Sequence, residues 1–202
     1  MSNMPLSERI GYQTLILMNL KPKLEAINFI VWGMVNKKMG LSQNSFMRDV
    51  AHAFSDSVIL DICALFQDSN SQKNRFHRLL NYKNELDERI LDIVKTKLEE
   101  AEKFDLAKIK EWRDQTTAHK DFKSGMKIHY SLRFLDQLNQ LSNIAEYIIG
   151  KVGDSDVMYC SHKIVKSIQK NLRCMYPDLD YFNEWAEHNN MLNSSDSYPP
   201  ET

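Results

Sequence analysis

The chain carries long stretches of helical periodicity with very little to interrupt them. Only 6 glycines and 5 prolines occur in 202 residues, and two of the prolines, Pro199 and Pro200, stand at the extreme C-terminus. A fold made of many short strands needs frequent turns, and glycine and proline are the residues that most often make them. The scarcity of both therefore favours long helices over a sheet.

Apolar residues spaced three and four apart define each predicted helix. Ser7 begins the first, and Pro22 is expected to kink it or to start a second helix ending near Val35, because proline lacks a backbone N–H. Asp105 is predicted to cap a later helix. The predicted helices cover residues 7–20, 24–35, 45–67, 85–103, a stretch from 105, 131–150 and 154–175.

These helices predict an all-α fold, a bundle of five to six helices in one domain over residues 1–175. No internal repeat and no strand pattern supports a sheet. Residues 176–202 are predicted to be a short C-terminal extension, partly disordered, because its end, "NSSDSYPPET", is polar and rich in turn-forming residues.

Composition excludes several classes of protein. The formal net charge is −1, so any nucleic-acid contact must be local rather than spread over the surface. The three cysteines, Cys63, Cys160 and Cys174, have no metal-ligand spacing and are predicted to be reduced buried thiols. The N-terminus lacks a signal-peptide pattern, and the most apolar window, "AINFIVWGMV", is too short to span a bilayer. We expect a cytoplasmic protein without a membrane segment, cofactor or metal.

Carboxylates between Glu85 and Glu102 are numerous enough to suggest a metal or acid–base site. They interleave with Arg89, Lys95 and Lys97 at helical spacing, however. Opposite charges three and four residues apart on a helix form pairs along its surface. A solvated helix face is therefore the favoured interpretation.

The segment "EWRDQTTAHKDF", residues 111–122, places polar residues where an apolar face should continue. Leu106, Ile109 and Arg113 are spaced three and four apart, so Arg113 falls on the apolar stripe. A guanidinium in that position is costly unless it is paired or faces a cleft. The structural alternative is a buried arginine paired with Asp114 or Asp121.

Arg113, Thr116 and His119 are each three residues apart and form a slanted row along the helix. Across the short Thr116, the arginine and the histidine could contact one phosphate. A guanidinium binds phosphate oxygens and keeps its charge, and an imidazole gives or takes a proton near neutral pH. Cleavage of an RNA phosphodiester uses both functions and requires no metal.

The string "RDQTTAHKD", with Arg113, Asp114, Ala118, His119 and Asp121, resembles the signature of the HEPN superfamily of helical nucleotide-binding domains. Within it, the string is most similar to the abortive-infection, AbiU-like branch, in which alanine precedes the histidine and aspartate follows two positions later. The apolar segment "SVILDICALFQD" also agrees with that branch, and the resemblance extends over about residues 5–150.

The resemblance implies a HEPN-like helical bundle and a metal-independent endoribonuclease whose active site forms where two subunits meet. Many such proteins are toxins in toxin–antitoxin or phage-defence systems, so a homodimer, an RNA substrate and an antitoxin protein are the implied partners. Arg113 would bind the phosphate, His119 would act as the acid–base group, and Asp114 would orient one of them. Asp121 stands where some branches carry a modifiable tyrosine, so that form of control is not expected.

Two groups of basic residues near aromatic residues are predicted to guide an RNA backbone, one on both sides of the motif, from Lys108 to Arg133, and one in "KNRFHRLLNYK". The alternative is a pair of solvated basic edges balanced by the acidic helix. The predicted RNA contacts are Thr116, Lys120, Lys123, Arg75 and Arg78.

Two other functions are compatible with the same residues. A helical interaction or regulatory module would keep the motif only as a packing element between subunits. A nucleotide-binding domain would bind phosphate without cleaving RNA. Trp32, Trp112 and Trp185 are predicted to be core or interface anchors in any of these cases.

Overall fold

The computed structural model describes residues 4–35, 45–67, 75–118 and 132–153, together with Lys170. Within these ranges every regular element is helical and no strand occurs. The predicted all-α fold is thereby confirmed. The elements are α1 (Leu6–Val35), α2 (Ser45–Phe66), a 3-10 helix η1 (Phe76–Asn81), α3 (Glu88–Ala101), α4 (Leu106–Ala118) and α5 (Leu132–Val152).

Helix α1 corrects one prediction, because it continues through Pro22 for 30 residues instead of restarting there. Proline in a helix interior removes one backbone hydrogen bond and costs about 3 kcal/mol. The side chains on both sides of Pro22 are buried, with Leu17 and Leu20 before it and Leu24 and Ile27 after it. Each such side chain contributes about 1.5–3 kcal/mol when fully buried, so one continuous apolar face outweighs the local defect.

The core lies where α1 packs against both α2 and α5. Helix α4 packs against α2, and α3 packs against α5 and η1. The deepest side chains come from several elements, including Phe29 of α1, Phe66 of α2 and Phe76 of η1. Phe66 and Phe76 meet edge to face with ring centroids 5.3 Å apart, which fixes the short 3-10 segment against the end of α2.

Capping residues set the start of two helices. The predicted helix over 85–103 begins later, at Glu88, because the Asp87 carboxylate accepts a hydrogen bond from the Arg89 amide at 2.8 Å. Asp105 accepts from the Lys108 amide at 3.0 Å, so the cap predicted for α4 is confirmed. The predicted helix over 154–175 and the extension over 176–202 lie outside the described residues, apart from Lys170.

The charged face of α3 is exposed, as the interleaved charges predict. Glu88, Asp92 and Glu99 are solvent-exposed, and Lys97 donates to Glu100 at 2.7 Å. Across the parts of the chain that are described, no three histidine, cysteine or acidic side chains are grouped so that they could hold a metal ion. In the same parts, none of the helices has the length and apolarity needed to cross a bilayer.

A pair of amides joins α1 to α5. Asn28, which interrupts the apolar window of α1, donates to Asn139 at 2.8 Å, and Asn139 donates back at 3.1 Å and also to the Leu135 carbonyl at 2.9 Å. Asn28 is buried, so its amide depends on this partner for hydrogen bonding. The pair fixes the register of the two helices.

We expect Asn28→Leu to lower the free energy of unfolding by about 1–3 kcal/mol, because it leaves the Asn139 amide without its partner. In the double variant Asn28→Leu/Asn139→Leu both polar groups are gone, so its loss should be smaller than the sum of the two single losses. Urea denaturation followed by circular dichroism measures all three. Strictly additive losses would show that the two amides are not coupled.

Candidate active site

Helix α4 presents its apolar stripe to the core, as the spacing predicts. Ile109 is buried, and Leu106 and Trp112 pack against the core from partly buried positions. The Trp112 ring meets Phe134 of α5 edge to face, with centroids 4.1 Å apart. Arg113 continues this face, and its side chain is only 19% exposed. The predicted placement of a charged group on the apolar stripe is therefore observed.

Two contacts align α4 with α2 and place Arg113 at the end of α2. The Cys63 thiol lies 4.0 Å from the Ile109 carbonyl, and the Gln67 side chain bonds Arg113. Both contacts join residues 46 positions apart, and the second contact lies four residues after the first on each helix. This constant offset indicates that α2 and α4 run in the same direction here, one turn matched to one turn.

The guanidinium of Arg113 donates hydrogen bonds to Asp114 and to Gln67. Nε and Nη2 donate to the same Asp114 oxygen, Oδ1, at 2.9 and 2.6 Å, and Nη1 donates to Gln67 Oε1 at 2.7 Å. Asp114 is the orienting carboxylate predicted from the motif, and it contacts the arginine. It is also one of the two partners that the structural alternative predicts, so the contact is common to both interpretations.

Gln67 is a contact residue that the sequence interpretation missed. It follows the last residue of α2 and is only 7% exposed. Ile59, Cys63 and Gln67 are spaced four apart, and the first two are fully buried. A polar residue ending a buried stripe is the same signal that singled out Arg113. The two polar residues that end these stripes, Gln67 and Arg113, contact each other where α2 packs against α4.

The bond between Gln67 and Arg113 adds little net stability. Arginine has only donors, so the amide oxygen must face it and Nε2 must point away. That buried Nε2 has no hydrogen-bond partner among the described residues. A hydrogen bond to a charged group contributes about 1.5–3 kcal/mol, and a buried donor left unpaired costs about 1–3 kcal/mol. The two effects nearly cancel, so the main effect of Gln67 is on the orientation of Arg113.

Helix α2 adds a favourable field at this point. The backbone N–H of Gln67 donates to the Cys63 carbonyl at 3.1 Å and closes the last turn of the helix. The final carbonyls of a helix carry a partial negative charge, which stabilises a nearby cation by about 0.3–1 kcal/mol. Arg113, bonded to the residue that ends this helix, benefits from it.

The second basic segment is partly withdrawn from solvent. Arg75 is 8% exposed, and its pKa is lowered by burial first and then by Arg78 and Arg9. Arg78 is half-buried in η1. Burial also lowers the pKa of His77, against the opposing effect of Glu102, which favours the neutral imidazole. Arg75 and Arg78 therefore lie at the surface only in part.

The structure describes only part of the motif beyond Asp114. His119, Lys120 and Lys123 lie outside the described residues, as does Asp121. Thr116 belongs to α4 by its backbone, one turn after Arg113. Of the predicted catalytic set, the structure brings together Arg113 and Asp114.

A family model describes most of this architecture. The model of the AbiU2 family of HEPN domains matches residues 16–127, more than half of the chain. The chain belongs to the AbiU2 family of HEPN domains. The matched residues run from α1 to beyond α4, so they include Gln67 and the whole Arg113 to Asp121 string. This family is associated with abortive infection, in agreement with the resemblance of the motif. No curated protein and no solved structure matches the chain.

Cys63 lies in the contact between α2 and α4. Burial raises its pKa from 9.0 to about 12, with Arg113 and Lys110 lowering it and Asp114 raising it by smaller amounts. Because it is fully buried and protonated at neutral pH, it is a structural thiol. The prediction of a buried reduced cysteine is confirmed for Cys63, and Cys160 and Cys174 lie outside the described residues.

We expect Cys63 in the folded protein to react with iodoacetamide about a thousandfold more slowly than in urea at about pH 8. Burial raises its pKa from 9.0 to about 12, and this lowers the fraction of reactive thiolate by about that factor. Its raised pKa also stabilises the fold below about pH 9, and this contribution is lost as the pH rises toward 12. Mass spectrometry of the peptide that contains Cys63 measures the first effect. The Cys63→Ala variant should lack the alkaline loss of stability, and an equal loss in both proteins would contradict the assignment.

Proposed function

We propose that this AbiU2-family domain is a metal-independent endoribonuclease that acts as a toxin or phage-defence effector through its Arg-x5-His motif. The observation that carries the proposal is the placement of Arg113. A charged side chain stands at the end of an apolar stripe and is held there by Gln67 and Asp114. Together with the motif and membership of a family associated with abortive infection, this arrangement supports phosphate binding at α4.

In the proposed reaction the 2′-hydroxyl of RNA attacks the adjacent phosphorus. Its proton goes to a base as the new P–O bond forms, and the bond to the 5′-oxygen breaks as that oxygen gains a proton. The products are a 2′,3′-cyclic phosphate and a 5′-hydroxyl. Arg113 stabilises the charge on the phosphate oxygens, and His119 transfers a proton.

The ion pair between Arg113 and Asp114 is suited to exchange for a phosphate. Asp114 is 54% exposed, so water and salt screen the pair. Pairs of this kind contribute about 0.2–1 kcal/mol. A phosphate can therefore displace the carboxylate at small cost, and Asp114 orients the guanidinium until substrate arrives.

The same proposal includes the partners implied by the family. Two subunits would join their motifs in a homodimer, since one arginine and one histidine form a sparse active site. Thr116, Lys120, Lys123, Arg75 and Arg78 would guide the RNA backbone. A separate antitoxin protein would restrain the activity in the cytoplasm.

A non-catalytic interaction module is the second candidate, and the contacts of Arg113 favour it over nucleotide binding. In this candidate the motif packs two subunits together, and an arginine needed only for packing would also be held by a buried amide and a neighbouring carboxylate. The two candidates differ in what the loss of Arg113 changes. A packing role affects stability alone, and a catalytic role affects cleavage beyond any effect on stability.

We expect the wild-type protein to cleave end-labelled RNA in excess chelator and to leave 2′,3′-cyclic phosphate ends. His119→Ala should reduce the rate by about 100-fold or more, because a positioned acid–base group contributes that much. Arg113→Lys should also reduce it strongly, since lysine keeps the charge but cannot bind two phosphate oxygens in a fork.

Arg89→Ala is the matched control, because Arg89 is an exposed arginine of α3. Its cleavage rate should equal that of the wild type. Melting curves of all variants separate loss of fold from loss of chemistry. Wild-type protein that forms stable dimers and leaves several RNAs intact would favour the interaction module.

We also expect the cleavage rate per chain to fall on dilution, because the proposed active site needs two subunits. Sedimentation velocity over the same concentration range should show the dimer dissociating where activity is lost. Full activity of a monomer would rule out a shared site and would leave the role of Arg113 to be decided by the variants above.

A further inference from the structure

Gln67 holds Arg113 with a neutral acceptor in a place where a carboxylate would bind an arginine more strongly. The Gln67 oxygen lies 2.7 Å from Nη1 of Arg113, and the Gln67 side chain is only 7% exposed. Its Nε2 has no hydrogen-bond partner within the described part of the chain. A glutamate at this position would have no donor to leave unpaired and would add a charge-assisted bond.

The difference between the two acceptors is charge. Of the two residues that accept hydrogen bonds from the guanidinium here, the half-exposed Asp114 carries a negative charge and Gln67 carries none. With glutamate, Arg113 would lie between two carboxylates, and one of them would be largely buried and little screened. The added negative charge would weaken the attraction between Arg113 and a phosphate.

This step rests on the proposed function: we infer that Gln67 is a positioning residue that fixes the direction of Arg113 without adding a negative charge that would compete with an RNA phosphate. The alignment of α2 with α4 through Cys63 and Ile109 sets the level at which Gln67 meets the guanidinium. Gln67 acts through Arg113, and its own buried amide does not need to touch the RNA.

This role predicts opposite effects on stability and on function for one substitution. Gln67→Glu should melt at the same temperature as the wild type or higher, because it strengthens the tie to Arg113 and removes the unpaired amide donor. The same variant should cleave RNA at least about tenfold more slowly, a loss equivalent to one weakened phosphate contact. A purely structural Gln67 predicts the reverse, with cleavage preserved wherever the fold is preserved.

Gln67→Met separates orientation from charge. Methionine has a similar length and lacks the acceptor, so Arg113 keeps its charge and loses its guide. We expect weak RNA binding to remain and the rate of the bound complex to fall, whereas Gln67→Glu should weaken binding itself. The matched control is Gln140→Glu, which adds the same charge at an exposed position of α5 where Gln140 bonds Asp136.

RNA binding provides a readout that does not depend on cleavage. The probe is a fluorescein-labelled single-stranded RNA of mixed sequence, titrated at several salt concentrations with each Gln67 variant in a His119→Ala background. Gln67→Glu should bind at least about tenfold more weakly, and its logarithmic salt slope should be smaller by about 0.7, the value for one lost phosphate contact on a single strand. Gln140→Glu should bind as the His119→Ala parent does.

The outcomes distinguish the inference from the proposed function. If the wild type cleaves RNA and Gln67→Glu cleaves and binds as well as it does, the inference is overturned and the ribonuclease stands. If no cleavage occurs but binding depends on Gln67 as described, the ribonuclease fails and the positioning role stands. If the parent chain binds no RNA, the inference is overturned with it.

Discussion

The cost of removing a guanidinium from water governs the region between α2 and α4. Arg113 occupies the next position of an apolar stripe after Ile109, and its side chain is mostly buried. A charge so placed must be paired or must shift the structure around it. Gln67 from the end of α2 and Asp114 from the same helix as Arg113 both accept hydrogen bonds from the guanidinium and meet this requirement. The alignment of the two helices follows, because only one register brings the end of α2 to the arginine.

The pattern of apolar spacing predicts most of the fold, and its failures have identifiable causes. Helices α2, α3 and α5 begin and end near the expected residues, and the Asp105 cap is observed. Pro22 is a local signal for a break, and it is overruled by burial on both sides, which only the packed structure shows. Helix α3 begins at Glu88 instead of Glu85, because the Asp87 side chain caps it by accepting a hydrogen bond from the Arg89 backbone N–H.

The candidate site also contains residues that the sequence predicts and one that only the structure reveals. Arg113 and Asp114 are recognisable from the sequence, because the first breaks an apolar stripe and the second stands beside it. Gln67 is not, because its significance depends on a contact across 46 residues. A glutamine at the end of a helix is ordinary on its own account. Its role is seen only in the packed structure, where α2 and α4 lie side by side and Gln67 meets Arg113 one turn after Cys63 meets Ile109.

The contacts of Arg113 with Asp114 and with Gln67 differ in strength, and this difference bears on how the family motif could work. Asp114 is exposed and screened, so its hold on the guanidinium is weak and easily exchanged. Gln67 is buried and neutral, so its hold is persistent but leaves the charge in place. Under the proposed function, a phosphate would displace Asp114 while Gln67 keeps the side chain oriented. A pair of carboxylates would fix the arginine more firmly and cancel its charge, and two exposed partners would leave it without direction. One buried amide and one exposed carboxylate would instead orient the guanidinium while adding a single, well-screened negative charge, which suits the proposed exchange for a phosphate.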